Sequence, residues 1–327
     1  MDQDMVLRFQ DISIGIHTQV EGFAGFIREH TFLKQGRGSS GMDISFLLHG
    51  SGMYRTLLGQ IPRDARMEAR TEVDLDGPVI FRCLTKGDDS IWYILEDYGC
   101  IFLDLKTNEC HAAMAREGSF QYIDFLLLFL HPLHRLLGGF GYRRIHASCI
   151  QVNGRNVLVT GQSGRGKSTA AFALAGRGHL VLTDESPVIF ERDECFHACT
   201  LLDVIKVRKD ALERFFPGCR DILFTRGEDC YLKLSKLNGM PLHTVGPIHD
   251  ICILSRTGLP ETSIEETSPL AVVPELFPQS VDPFLPRQAH GSFEVVMDML
   301  SMARCHLVQF GTDMGLFTQA MERMVET

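Results

Sequence analysis

Apolar and polar positions along this chain follow two different periods. Up to about residue 118 the apolar residues come in short, partly alternating runs, the period of half-buried strands. Residues 6–16 alternate in places, and 44–48 (ISFLL) and 79–83 (VIFRC) read as strands. The clearest hairpin joins 91–95 to 100–105 through a turn at 96–99 (EDYG). Residues 36–41 (GRGSSG) read as a flexible loop. The period then changes. Ser119 suits an N-cap, 119–137 suits a buried helix that Pro132 would kink, and Gly138-Gly139 would end it.

Beyond residue 144 short strand-like runs alternate with helical ones, the pattern of an α/β unit. A strand at 145–152, a two-residue turn at Asn153-Gly154 and a strand at 156–160 lead to a helix at 168–175 (STAAFALA), closed by Gly176 and Gly178. A strand at 179–183 follows and ends at Asp184-Glu185. Further strands are expected at 189–191, 202–207 and 248–254, and helices at 210–216 and 293–303. Residues 258–267 read as an exposed acidic loop and 274–286 as proline-rich and irregular. The expected organisation is a β-rich N-terminal domain (1–118), a linking helix (119–140) and an α/β domain (141–327).

Composition narrows the class. The 327 residues are 45% hydrophobic and 22% charged, the make-up of an ordinary globular protein long enough for two cores. A formal net charge of -9 argues against nucleic acid as partner. Ten scattered cysteines without a disulfide framework, and a start lacking an export signal, point to free thiols in a cytoplasmic setting. The longest apolar run, 125–130, is too short to span a membrane and meets His131 and Pro132 at once.

The chemistry concentrates in one stretch, GQSGRGKST. Gly161, Gly166, Lys167 and Ser168 fill every fixed position of the phosphate-binding pattern G-x-x-x-x-G-K-[S/T]. Glycines without Cβ atoms let backbone N–H groups turn inward on phosphate oxygens, so Gly161, Gln162, Ser163, Gly164, Arg165, Gly166, Lys167, Ser168 and Thr169 are the expected nucleotide contacts. Lys167 would meet the terminal phosphates, and the Ser168 hydroxyl would ligate the Mg²⁺ of ATP. A buried strand before the loop and a helix after it supply the context such a loop needs. Asp184 and Glu185 fall at a strand's carboxyl end, where α/β sheets place their ligands. One carboxylate there could accept a hydroxyl proton and the other hold the metal. His146, on the strand preceding the loop, is a third candidate.

Here the chain resembles the catalytic domain of HPr kinase/phosphorylase. The resemblance rests on His146-Ala147, the loop GQSGRGKS, Arg177-Gly-His179 and Asp184-Glu185, and runs from about residue 146 to 189. It implies a carboxykinase-like fold and ATP- and Mg²⁺-dependent phosphorylation of a serine-type hydroxyl on a peptide or small protein. It also implies Asp184 as base, His146 as an active-site histidine and assembly into a homo-oligomer. Two departures qualify it. The family has two aspartates where this chain has Asp184-Glu185, and the family's later glutamate-containing signature is not recognisable around 201–209. The implied activity is therefore that of a kinase without the reverse reaction, acting on something other than HPr. Diverged kinases that tailor ribosomally made peptides, lasso peptides included, show a similar plan.

The residue pattern leaves other acceptors open. A small-molecule hydroxyl kinase shares the same groups, and an ATP-dependent switch would need the loop alone. No LSGGQ-like or N-K-x-D sequence supports a transporter ATPase or a GTPase. Lys206, Arg208, Lys209, Lys233, Arg143 and Arg144 are further cations, any one of which could reach the phosphates. Cys195, His197 and Cys199 lack a fourth ligand at zinc spacing and read as structural.

Overall fold

Alternation of buried and half-exposed residues builds the first of two units. In the strands Ile12–Thr18 and Ile44–His49 every second side chain is buried, so one face of their sheet seeks a cover. The computed structural model describes residues 3–36, 42–74, 78–116, 120–162, 164–184, 186–281 and 289–326. The expected N-cap Ser119, most of the glycine loop at 36–41, Ser163 and Glu185 lie outside these. The described chain divides into one unit of residues 3–29 and 33–142 and another of 30–32, 143–281 and 289–326.

The first unit carries a nine-stranded mixed sheet. Its strands run, edge to edge, Lys34–Gln35, Gln3–Phe9, Ile12–Thr18, Ile44–His49, Glu109–Met114, Gly99–Asp104, Ser90–Leu95, Pro78–Lys86 and Arg66–Asp74. The hairpin expected at 91–105 is present, with Ser90 opposite Asp104 and Leu95 opposite Gly99. The segment expected to link the domains belongs to this unit instead. Phe125, Leu128, Phe129 and Leu133 are fully buried, and Phe129 packs against Phe23 and Phe46. A helix this apolar is stable only inside a core. By length and composition residues 122–140 could cross a membrane, but half of that stretch is buried within the protein, as in a core helix. Pro132 lies in the first turn of the helix His131–Leu137. A π turn, Leu126–Leu130, precedes it, with the His131 N–H bonded to the Leu126 carbonyl. That wider turn makes room for a ring that lacks an N–H.

The second unit is α/β, with helices on both faces of a mixed sheet. The sheet order is Arg143–Arg144, Val188–Arg192, Cys195–Cys199, Thr244–Arg256, Arg155–Thr160, Ser148–Val152 and Leu180–Thr183. Arg304–Phe310 also pairs with Thr244–Arg256, and Ser263–Thr267 with Arg304–Phe310. One face packs on the helices Lys167–Ala175 and Met314–Glu326, the other on Pro269–Ser280 and Ala289–Met302. A three-stranded sheet, Ile205–Arg208, Asp229–Leu232 and Ile222–Arg226, adds to the first core.

Three expectations are corrected. The strand expected from 145 begins at Ser148, leaving His146 in a bend before it. The acidic stretch 258–267 contains the strand Ser263–Thr267, whose charged residues suit a sheet margin. The proline-rich stretch folds into the helix Pro269–Ser280, with Pro274 and Pro278 inside it. Burial of Val272 and Leu276 against the sheet outweighs the hydrogen bonds those prolines forgo.

Candidate active site

Three strands decide where the site lies. Ser148–Val152 runs antiparallel to both Arg155–Thr160 and Leu180–Thr183, so those two outer strands point the same way. Thr244–Arg256 is parallel to Arg155–Thr160, and Arg304–Phe310 is parallel to Thr244–Arg256. Four carboxyl ends therefore open on one edge of the sheet, the edge where α/β folds bind ligands. They deliver Asp184, Gly161, Arg256 and Gly311. At roughly 4.8 Å per strand spacing, the ends carrying Asp184 and Gly161 are about 10 Å apart.

The predicted Asn153-Gly154 turn sets this up. Both residues have positive φ, 48° and 82°, as a two-residue hairpin of this hand requires. After Thr160 the chain enters the loop with Gly161 at φ 145°, Gly164 at φ 80° and Gly166 at φ 101°. A Cβ on Gly166 would come within 2.8 Å of the Phe310 ring. The loop thus presses on a buried aromatic that is itself edge-on to Phe317 at 4.6 Å. Helix Lys167–Ala175 starts directly after Gly166, which brings its unpaired first-turn N–H groups to the loop. Lys167 is 7% exposed, and its ammonium donates to the Gly161 carbonyl at 2.7 Å. Ser168 is exposed on the first turn. Backbone N–H groups freed by glycines, a buried ammonium and an exposed hydroxyl suit phosphate with a hard cation.

Asp184 follows the strand Leu180–Thr183 and is 4% exposed. The Ser148 hydroxyl lies 2.7 Å from its Oδ1 and 3.1 Å from its backbone carbonyl. The pairing of these strands shifts register between Cys149 and Ile150. Cys149, next to Ser148, is no rival nucleophile, because burial pushes its thiol up to about 12. His146 sits two residues before Ser148, on the same edge, half-buried, with its N–H bonded to the Gln279 carbonyl at 2.8 Å.

The cations sort out as follows. Arg208 pairs with Asp210 and Lys209 with Glu228. Lys206 lies on the three-stranded sheet, and Lys233 follows that sheet's middle strand. Arg144 donates to the Ser186 hydroxyl at 3.0 Å, two residues from Asp184. One guanidinium beside the loop is a residue that sequence reasoning missed. Arg256 Nε lies 3.2 Å from where a Cβ on Gly166 would stand. Its strand reads as merely apolar. Only its parallel pairing beside Arg155–Thr160 marks its end as a ligand edge.

Comparisons with known proteins give partial matches. No family model matches the chain. The HPr kinase/phosphorylase of Lactobacillus delbrueckii subsp. bulgaricus is 33% identical over 79 residues, 24% of this chain and 24% of that protein. That of Clostridium botulinum (strain Eklund 17B / Type B) is 44% identical over 50 residues, 15% and 16% of the two chains. The matches thus span about a quarter or less of these relatives' length. A solved structure, the Hpr(Ser) kinase/phosphatase from Coxiella burnetii, aligns with 56% of this chain and 95% of its own at 12% identity and a TM-score of 0.31. The expected similarity to HPr kinase/phosphorylase is borne out in sequence.

Proposed function

We propose that this chain is an ATP-dependent kinase that phosphorylates a serine-type hydroxyl. One observation carries the reading. A phosphate loop and a buried carboxylate, two strands apart, open on the same edge of one sheet, the first suited to hold the donor and the second to deprotonate the acceptor.

In this reading the backbone N–H groups of residues 161–169 and the Lys167 ammonium bind the phosphates, while Arg256 sits beside the loop as a further cation. Mg²⁺, when bound through Ser168 and Glu185, neutralises charge on the phosphate oxygens. Asp184 accepts the hydroxyl proton as the acceptor oxygen attacks the γ-phosphorus. The bond from that phosphorus to the β-bridging oxygen breaks, and ADP leaves. His146, on the same edge, helps to orient the acceptor. Phosphoryl transfer draws mainly on positioning and charge, so this short list of groups suffices. The acceptor class we propose is a peptide or small protein, with ribosomally made peptides such as lasso peptides as the leading group. Homo-oligomerisation through the second unit is part of the same reading.

The test is mass spectrometry of serine-bearing peptides incubated with the protein and MgATP. Peptides gain about 80 Da, the mass of HPO₃, if the reading holds. Asp184→Asn keeps ATP binding and loses transfer by about 10²- to 10⁴-fold. Transfer by that variant at the wild-type rate would remove Asp184 as base. Phosphorylation of small alcohols but no peptide would point to the small-molecule alternative, and ATP hydrolysis with no acceptor to a switch.

A further inference from the structure

We infer that Ser148, with the register shift beside it, turns Asp184 toward the phosphate loop, and so is a positioning residue for the base proposed above. The inference deepens that reading and rests on it.

The geometry starts from the pairing. Gln151 faces Leu180 and Ile150 faces Val181. Were that register to continue, Cys149 would face Leu182 and Ser148 would face Thr183. Asp184 would then fall opposite Ala147, on the other face of the sheet, because side chains alternate strictly along a strand. The observed partner of Cys149 is instead Thr183. One extra residue enters the Leu180–Thr183 strand, and the next cross-strand neighbour of Ser148 becomes Asp184. An extra residue of this kind re-aims the side chains beyond it, and such bulges gather beside active sites.

The face is identified independently. On its other side Ser148 is paired with Val159, and directly opposed residues share a face. Val159 belongs to the core cluster that contains Ala170, Ala171 and Phe172 of the loop helix. Ser148 therefore points to the loop-helix side, and its hydroxyl 2.7 Å from Asp184 Oδ1 holds the carboxylate there.

The chemistry of the pair fits positioning rather than packing. Ser148 is fully buried, and among the described residues its hydroxyl meets Asp184 twice. A hydroxyl has one proton to give, and the shorter contact assigns it to Oδ1. That anchors one carboxylate oxygen and with it the plane of the group that is to accept the proton. Alanine at 148 would remove the anchor without changing the backbone that carries Asp184. A misplacement of about 1 Å in such a group costs on the order of 10²-fold in rate.

The experiment uses the full chain with MgATP and a pool of synthetic serine-bearing peptides. It follows phosphopeptide formation and ADP release for wild type, Ser148→Ala, Ser148→Thr and Asp184→Asn. Ser148→Ala is expected to melt cooperatively and keep the apparent KM for ATP, while kcat falls about 10- to 100-fold. Ser148→Thr, which keeps the hydroxyl on a strand, restores most of the rate. If Ser148→Ala does not fold, Ser148→Cys, a near-isostere with a much weaker donor, is held to the same criteria. An inactive Asp184→Asn beside a fully active Ser148→Ala, or equal losses in the alanine and threonine variants, overturns the positioning role and leaves the kinase reading intact. A wild-type rate in Asp184→Asn, or a wild-type chain that neither modifies peptide nor releases ADP, overturns both.

Discussion

Gly166 faces the narrowest steric requirement in the loop. Its φ of 101° is in the left-handed region, and an added Cβ would meet the Phe310 ring at 2.8 Å and Arg256 Nε at 3.2 Å. Gly164 has a similar φ of 80°, but nothing lies within 4 Å of its missing Cβ. The two positions separate backbone strain from collision. Gly164→Ala should cost about 1 kcal/mol, the left-handed penalty alone, whereas Gly166→Ala should cost about 2–3 kcal/mol once the clash is added. Gly166→Ala should also weaken MgATP binding at least about tenfold, since Arg256 and the loop must shift. Thermal melts and titration calorimetry on both variants check this. At this scale the sequence was most legible where chemistry demands a fixed spacing, as for Lys167, Ser168 and Asp184. It was silent on Ser148 and Arg256, because a serine and an arginine at those positions have no local signature. Their roles come from which strands lie beside them.

The strand that presents Asp184 lies at the edge of its sheet, and an edge strand has a row of unpaired backbone groups. Asn238 covers part of that row. Its side-chain amide donates to the Val181 carbonyl at 2.7 Å and accepts from the Val181 N–H at 3.0 Å, the pair of bonds a neighbouring strand would make. Asn238→Ala should destabilise the protein by about 1–3 kcal/mol. Hydrogen exchange at the Val181 amide should rise more than at Val157 or Val159 in the sheet interior. Unchanged protection at Val181 would contradict the clamp. Elements were legible where one local rule dominated. The Asn-Gly hairpin and the loop helix are examples. Proline content argued against the helix Pro269–Ser280, yet Val272 and Leu276 are fully buried there. Tertiary burial overrides local propensity in such a segment, and no single-sequence signal measures it.

Across the whole second unit the ligand edge has a counterweight at the sheet's other end. Asp250 is fully buried. It meets Arg304 at 2.8 Å, His306 at 3.0 Å and Arg155 at 3.3 Å, joining the middle of its own strand to the amino ends of the two parallel strands that flank it. Burial pushes its carboxyl up, but the His306 hydrogen bond and the Arg304 and Arg155 charges together outweigh burial and hold it below the usual carboxylate range. A depressed folded-state value means that the ionised form stabilises the fold. That contribution is complete above the unfolded value of about 4 and is lost as pH falls through the lower folded value. Asp250→Asn should therefore cost about 3 kcal/mol near neutral pH. The gap to wild type should close only in the acid limb, below about pH 4. Urea unfolding of both proteins from pH 7 to pH 3 decides it, and a gap that widened on acidification would refute the assignment.

The sequence by itself determined the glycine-rich loop between strand and helix, the hairpin that feeds it, the aspartate after it and the α/β character of residues 144 onward. Each depends on contacts within a few residues, where backbone dihedrals and side-chain spacing act locally. The tertiary structure alone decided that Asp184 shares a face with the loop helix, that Ser148 anchors it and that Arg256 borders the loop. Those facts depend on strand order and on one register shift, and pairing between strands distant in sequence is set by how the whole core packs. In the proposed function the loop supplies a place for phosphate, and the sheet supplies the direction from which a hydroxyl would reach it.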